Sequence, residues 1–183
     1  MSNPQVSTVP SMGGLALRSV IVAAVLTAIL LALFGPRGLS QLGHVVAGAR
    51  LHAPRLDLLA SASLAIKIHL ATVLAAVVLA TWQMVGPKGR TMHRILGWAL
   101  AILLVTTAVA SLFIHDPRGG LFNPFQLFAV WTLIGVPIAI VAARRHKVKY
   151  HARSMAGLYF GGLIFAGLLT FLPGRLMWSV FFG

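Results

Sequence analysis

The sequence predicts an all-α integral membrane protein, a helical bundle of five transmembrane helices in which the last four form the core. Two features of the composition indicate the membrane: 58% of the 183 residues are hydrophobic and only 9% are charged. An average soluble domain has about 25% charged residues, so this chain has too few charges to cover a water-facing surface. The third observation is that its hydrophobic residues fall into five apolar runs separated by basic segments.

The first apolar run covers residues 19–34. It reaches the length of a span only with residues 15–17, while the side chain of Arg18 extends back to the membrane surface. A signal peptide would have a basic segment before the run and small residues at a cleavage site after it, and neither is present. We therefore expect residues 1–63 to contain an anchor helix over about residues 15–34 and then a long periplasmic-side loop.

The remaining four runs form the predicted core, residues 64–183, and they cover residues 64–85, 95–114, 125–143 and 155–173. The run 95–114 has twenty residues, which at about 1.5 Å each matches a hydrocarbon core of roughly 30 Å. Gly135 and Pro137 interrupt the fourth run and predict a kink there. The tail 174–183 is amphipathic, and we expect it to lie in the membrane interface.

The basic residues are divided unequally between the two membrane faces. Side B, where the second span joins the third, carries nine: Arg18, Lys88, Arg90, Arg94, Arg144, Arg145, Lys147, Lys149 and Arg153. Side A carries six: Arg37, Arg50, Arg55, Lys67, Arg118 and Arg175. The positive-inside rule places side B in the cytoplasm, with the N-terminus cytoplasmic and the C-terminus periplasmic. Because the basic residues lie between apolar runs, the net charge of +13 indicates lipid head groups as partners rather than nucleic acid.

The chain has no cysteine, which excludes iron–sulfur clusters and thiolate metal sites. Four of its seven histidines lie at the ends of predicted spans. His69 and His115 lie on side A, and His93 and His151 lie on side B. Two imidazoles from facing helices are what the axial ligation of a b-type haem requires. We therefore predict that these two pairs bind haem b and carry electrons across the membrane.

Basic residues near each pair are candidates for contact with haem propionates: Lys67, Arg118 and Arg175 on side A, and Arg90, Arg94 and Arg153 on side B. Lys67 lies inside its apolar run, so we expect it to be buried with an ionic partner, for which Asp116 is suitable. The same pair can instead act as a helix clamp or a proton site.

Three other interpretations remain open. Histidines and basic residues at span ends often only anchor helices, and Gly157-x-x-x-Gly161 is a helix-packing pattern. The chain would then be a non-catalytic accessory subunit of a larger membrane complex, without a cofactor. A second interpretation is a thioether and imidazole site for Cu(I), with the candidate ligands Met84, Met92, His93, His151 and Met155. A quinone or lipid head-group site would use Trp82, Gln83 and His93.

Four motifs occur in a recognisable order along the core: Ile68-His69-Leu70 with Gln83, His93-Arg94-Ile95-Leu96-Gly97, His151-x-Arg153-x-Met155, and Leu172-Pro173-Gly174-Arg175. Over about residues 64–183 this arrangement resembles the bacterial predicted membrane proteins filed as domain of unknown function 2306. The resemblance implies a multi-pass helical protein of the bacterial inner membrane. The histidine layout is also similar in architecture to transmembrane two-haem cytochromes.

Overall fold

The structure, a computed structural model, describes residues 44–114 and 125–182. The predicted anchor helix over residues 15–34 lies outside the described residues, as do His115, Asp116 and Arg118. Residues 1–49 and 50–183 are separate compact units. Of the first unit, residues 44–48 form one helical turn.

In the described part of the second unit the regular elements are helices, apart from one isolated bridge between Leu51 and Phe182. Its helices are α1 (Leu56–Ala60), α2 (Leu64–Val85), α3 (Thr91–Leu112), α4 (Gln126–Arg144), α5 (Val148–Leu169) and α6 (Leu176–Phe181). Within the described ranges, α2, α3, α4 and α5 are the helices that are long and apolar enough to cross a membrane. The predicted four-helix membrane core is therefore confirmed, and the chain is a multi-pass membrane protein.

Two of the spans begin earlier than their apolar runs. Helix α3 begins at Thr91 rather than at residue 95, and α5 begins at Val148 rather than at residue 155. A helix does not have to end where its side chains become polar, because its backbone hydrogen bonds continue into the head-group region. His93 and His151 consequently lie within the first turns of α3 and α5.

The four long helices form a closed bundle of antiparallel neighbours. Each packs against the next in sequence, and the middle of α5 returns to contact α2. Small side chains occupy the centre, and Ala76 and Ala139 are both 0% exposed. Helices in lipid have no hydrophobic driving force to associate, so their association depends on packing. Small residues favour it because they let the two backbones approach closely. The outward faces are apolar, as a surface in contact with lipid requires.

Glycines on α4 and α5 permit this close approach. A Cβ atom at Gly135 would lie 2.9 Å from Cδ2 of the buried Leu158, and one at Gly161 would lie 2.6 Å from Cζ3 of Trp131. A Cβ at Gly157 would be 3.8 Å from the same indole. The prediction that Gly157 and Gly161 lie on a helix-contact face is therefore confirmed.

Helix α5 changes its winding in the middle, since Leu158–Phe165 is π-helical between two α-helical segments. Such segments occur mostly as short insertions in α-helices and often mark functional sites. Here the segment supplies both Leu158, which fills the space beside Gly135, and Tyr159, whose hydroxyl is 2.9 Å from Oγ1 of Thr81 on α2. Helix α4 is not broken at Pro137.

The C-terminal tail packs against the segment that precedes α2. His52 N–H donates to the carbonyl of Phe181 at 3.1 Å, and Arg55 N–H donates to that of Val180 at 3.0 Å. Val180 is fully buried. The predicted interfacial tail is therefore an ordered helix, α6, held against residues 51–60.

Candidate functional site

On side A, the imidazole of His69 is oriented by helix α3. Its Nδ1 lies 2.9 Å from the carbonyl oxygen of Thr107. A carbonyl oxygen can only accept, so in the neutral ring Nδ1 carries the proton and Nε2 keeps a free lone pair. Nε2 has no hydrogen-bond partner among the described residues. His69 thus offers one nitrogen to a ligand while the other is fixed to the protein.

Two threonines connect α2 and α3 beside this histidine. Thr107 Oγ1 donates to Thr72 Oγ1 at 2.8 Å, and Thr72 Oγ1 donates to the carbonyl of Ile68 at 2.8 Å. Each hydroxyl has a partner, as a buried polar group in a membrane requires. The helix–helix contact that orients His69 is therefore secured by a short chain of hydrogen bonds.

On side B, the imidazole of His151 is oriented in the same way by helix α4. Its Nδ1 lies 2.9 Å from the carbonyl oxygen of Ala139, so it too donates and leaves Nε2 unprotonated. No described residue bonds Nε2 of His151. The two histidines on opposite sides of the membrane therefore share one arrangement, in which a backbone carbonyl of the neighbouring helix selects the tautomer.

His93 is the second histidine at the side B end. Its Nδ1 is buried and, among the described residues, is the only buried side-chain nitrogen or oxygen that lacks a hydrogen-bond partner. A buried polar atom without a partner costs about 1–3 kcal/mol. The backbone at His93 is fixed, because Gln83 Nε2 donates to its carbonyl at 2.9 Å. His93 and His151 lie in the first turns of α3 and α5, so both imidazoles belong to the side B end of the bundle.

Of the predicted basic residues that the structure describes, four have exposed side chains, whereas Arg175 is half-buried. Lys67 is exposed, so the expectation that it is buried is wrong: as the fourth residue of α2 it lies on the face that points away from the bundle. Arg94 and Arg153 are also exposed, at the same end as His93 and His151. His115 and Asp116 lie outside the described residues, and the pairings His69–His115 and Lys67–Asp116 stay predictions.

Exposure does not single out a thioether cluster at the suggested Cu(I) site, which stays a prediction. Met84 is 37% exposed and Met92 is 62% exposed, whereas Met155 packs against the core. Nor do the described residues bring together three or more His, Asp or Glu side chains in a group suited to a metal ion. Of the suggested quinone residues, Gln83 is engaged by the His93 carbonyl and Trp82 faces outward.

Some residues of the site were not identified from the sequence. Thr72 and Thr107 carried a usable signal, since polar residues inside apolar runs need partners. Ala139 gave no signal in the sequence, because it acts through its backbone carbonyl and every residue has one. Sequence reasoning finds the imidazoles but not the groups that orient them.

Comparison with known proteins agrees with this architecture. The family described as "Predicted membrane protein (DUF2306)" matches residues 66–181. No curated protein and no solved structure matches the chain. The match begins in the first turn of α2 and ends in α6, so it includes all four spanning helices and the three described histidines at their ends. The chain therefore belongs to the DUF2306 family of predicted membrane proteins.

Proposed function

We propose that this protein is a membrane electron-transfer protein that binds haem b between His93 and His151. One observation carries the proposal: the two imidazoles share the side B end of the bundle, one with an oriented, unbonded Nε2 and the other with a buried, unpartnered ring nitrogen. A bound ligand would use Nε2 of His151. It would also account for the unpartnered Nδ1 of His93, because the His93 ring would reorient on binding and its nitrogens would gain new partners.

The orientation of His151 supports a metal ligand in particular. Histidines that bind metals nearly always donate their other ring N–H to a carbonyl, a carboxylate or water, which fixes the tautomer and raises the basicity of the ligating nitrogen. His69 meets the same criterion on side A. We therefore retain His69 with His115 as the second candidate ligand pair.

The available donors suit haem better than a bare ion. A porphyrin supplies four nitrogens of its own, so the protein would need to add only two ligands, for which neutral imidazoles are suitable. When bound, haem supplies reversible one-electron chemistry at its iron. The residues of the chain would bind it: His93 and His151 as ligands, with the Ala139 carbonyl orienting His151, and Arg94 and Arg153 as exposed cations for the propionates.

The absorption spectrum of the purified protein tests the proposal. We expect a Soret band that sharpens and shifts when the protein is reduced, after expression in cells supplied with a haem precursor. A protein that remains colourless, and that also fails to bind added haemin in detergent, would exclude haem.

The accessory-subunit alternative has less support, because Gly157 and Gly161 face Trp131 of the same chain instead of a free surface.

For the orientation in the membrane we infer that side B faces the cytoplasm. The support is the excess of Lys and Arg on that side, nine against six. The positive-inside rule places the richer side in the cytoplasm, and with five spans the C-terminus is then periplasmic. A phosphatase reporter fused after Gly183 should be active, and a fluorescent protein that matures only in the cytoplasm should be dark at that position. The opposite pair of results would mean an inverted orientation or an even number of spans.

A further inference from the structure

A shallow, open groove on the outer face of the bundle lies between α2 and α3, in the half of the membrane nearest side B. It is lined by Leu74, Ala75, Val78, Leu79, Trp82 and Leu96. From Leu74 to Trp82 it extends along α2 for about 12 Å, at 1.5 Å per residue. Its walls are apolar, and in a bilayer this depression is filled by hydrocarbon.

Cations lie at the side B end of the groove, in the turn that joins α2 to α3. Lys88 and Arg90 are both exposed in that turn, and Gly89 supports it by adopting a left-handed conformation with φ of 78°. Lys88 Nζ donates one hydrogen bond to the carbonyl of Met84 at 2.6 Å, which leaves its other two N–H groups free. Neither cation has an acidic partner, since the ion pair found among the described residues is Arg55–Asp57 on side A.

We propose that this groove and turn form a binding site for one anionic phospholipid. An acyl chain lies in the groove, and the phosphate meets Lys88 and Arg90. Trp82 lies between the two parts, at the depth where interfacial tryptophans are enriched. The proposal does not depend on haem binding, because none of these residues is a proposed ligand of the haem iron and the propionate contacts are assigned to Arg94 and Arg153.

A phospholipid fits these observations better than a free anion or an acidic protein. A free phosphate has no use for the apolar groove, and an acidic protein segment would not enter the hydrocarbon layer. A single ligand with an apolar chain and an anionic head satisfies both halves of the site. Each Lys or Arg close to an anionic membrane surface strengthens binding about fivefold.

Native mass spectrometry of the full chain in detergent measures this binding directly. The probes are phosphatidylglycerol and phosphatidylcholine with identical acyl chains. We expect preferential retention of phosphatidylglycerol, and a roughly 30-fold loss in the double variant Lys88→Gln/Arg90→Gln. The matched control is Lys147→Gln/Lys149→Gln, which removes two exposed side B cations away from the groove and should cost less than about threefold.

The groove itself is tested by Ala75→Phe, which fills it from an exposed position on α2. Ala71→Phe places the same ring at an exposed position outside the groove. We expect phosphatidylglycerol to be lost from the first variant and kept by the second. Equal losses in the two charge variants, or full retention by Ala75→Phe, would overturn the site. Displacement of the lipid by millimolar inorganic phosphate would also overturn it, because the phosphate contact alone would then explain binding.

Discussion

Replacing His151 with asparagine should remove haem from side B, whereas replacing His146 with asparagine should leave it bound. Asparagine carries an amide N–H near the position of the histidine Nδ1, so the hydrogen bond to the Ala139 carbonyl can be kept. The variant then loses only Nε2, the nitrogen assigned to iron. Loss of an outer-shell partner alone typically lowers metal affinity 10- to 100-fold, so loss of the ligand should lower haem affinity by roughly 100-fold or more.

His146 provides the matched control. It is exposed on the same side of the membrane, in the turn between α4 and α5, with φ of 56°. Asparagine tolerates this left-handed conformation better than most residues, so the substitution should not disturb the turn. Haem titration followed by absorbance measures both variants. Equal affinity in His151→Asn and wild type would remove His151 from the ligand set, and equal loss in both variants would indicate a non-specific effect of removing histidine.

The largest effect on folding is expected from Gly161→Leu. A Cβ atom at this position would lie 2.6 Å from a ring atom of Trp131, closer than real Cβ contacts, so α4 and α5 would have to separate or the indole would have to move. Overpacking of this kind costs about 1–3 kcal/mol, and we expect the upper end because the leucine adds three further carbons. Unfolding in mixed detergent micelles measures the change.

Gly167→Leu on the same helix is the control, since a Cβ at Gly167 meets no atom within 4 Å. We expect it to change the unfolding free energy by less than about 1 kcal/mol. Trp131→Ala should suppress most of the defect of Gly161→Leu, because it removes the ring with which the leucine collides. A Gly161→Leu protein as stable as wild type, or a defect that persists without Trp131, would mean that these side chains do not define the contact.

The sequence predicts the helices well where a run of apolar residues has sharp ends. Helix α2 occupies residues 64–85 as expected, because Ser63 caps its start by accepting a hydrogen bond from Ile66 N–H and Gly86 follows its last turn. The start of α5 was less predictable. Its first turns are polar, with Lys149 and Arg153, and a hydropathy pattern alone does not separate a helical turn in the head-group region from a loop.

The candidate site was predictable in its chemistry and not in its contacts. The imidazoles are assigned to sides by sequence order, because alternating spans fix which helix ends share a leaflet. Which imidazole faces which helix depends on packing, and packing here is set by glycine contacts such as Gly135 with Leu158. The unpartnered nitrogen of His93 could not be anticipated, because it follows from the absence of a hydrogen-bond partner beside it among the described residues of the folded bundle.

Rescue by free imidazole tests the assignment of the ligand most directly. In His151→Ala the truncated side chain leaves space next to the Ala139 carbonyl, and imidazole added to the buffer can enter it. We expect the variant loaded with haemin to lack the wild-type spectrum and to recover it on titration with imidazole, with His93 supplying the other ligand. A wild-type spectrum without imidazole, or a spectrum that imidazole does not restore, would contradict the assignment of His151 as a haem ligand.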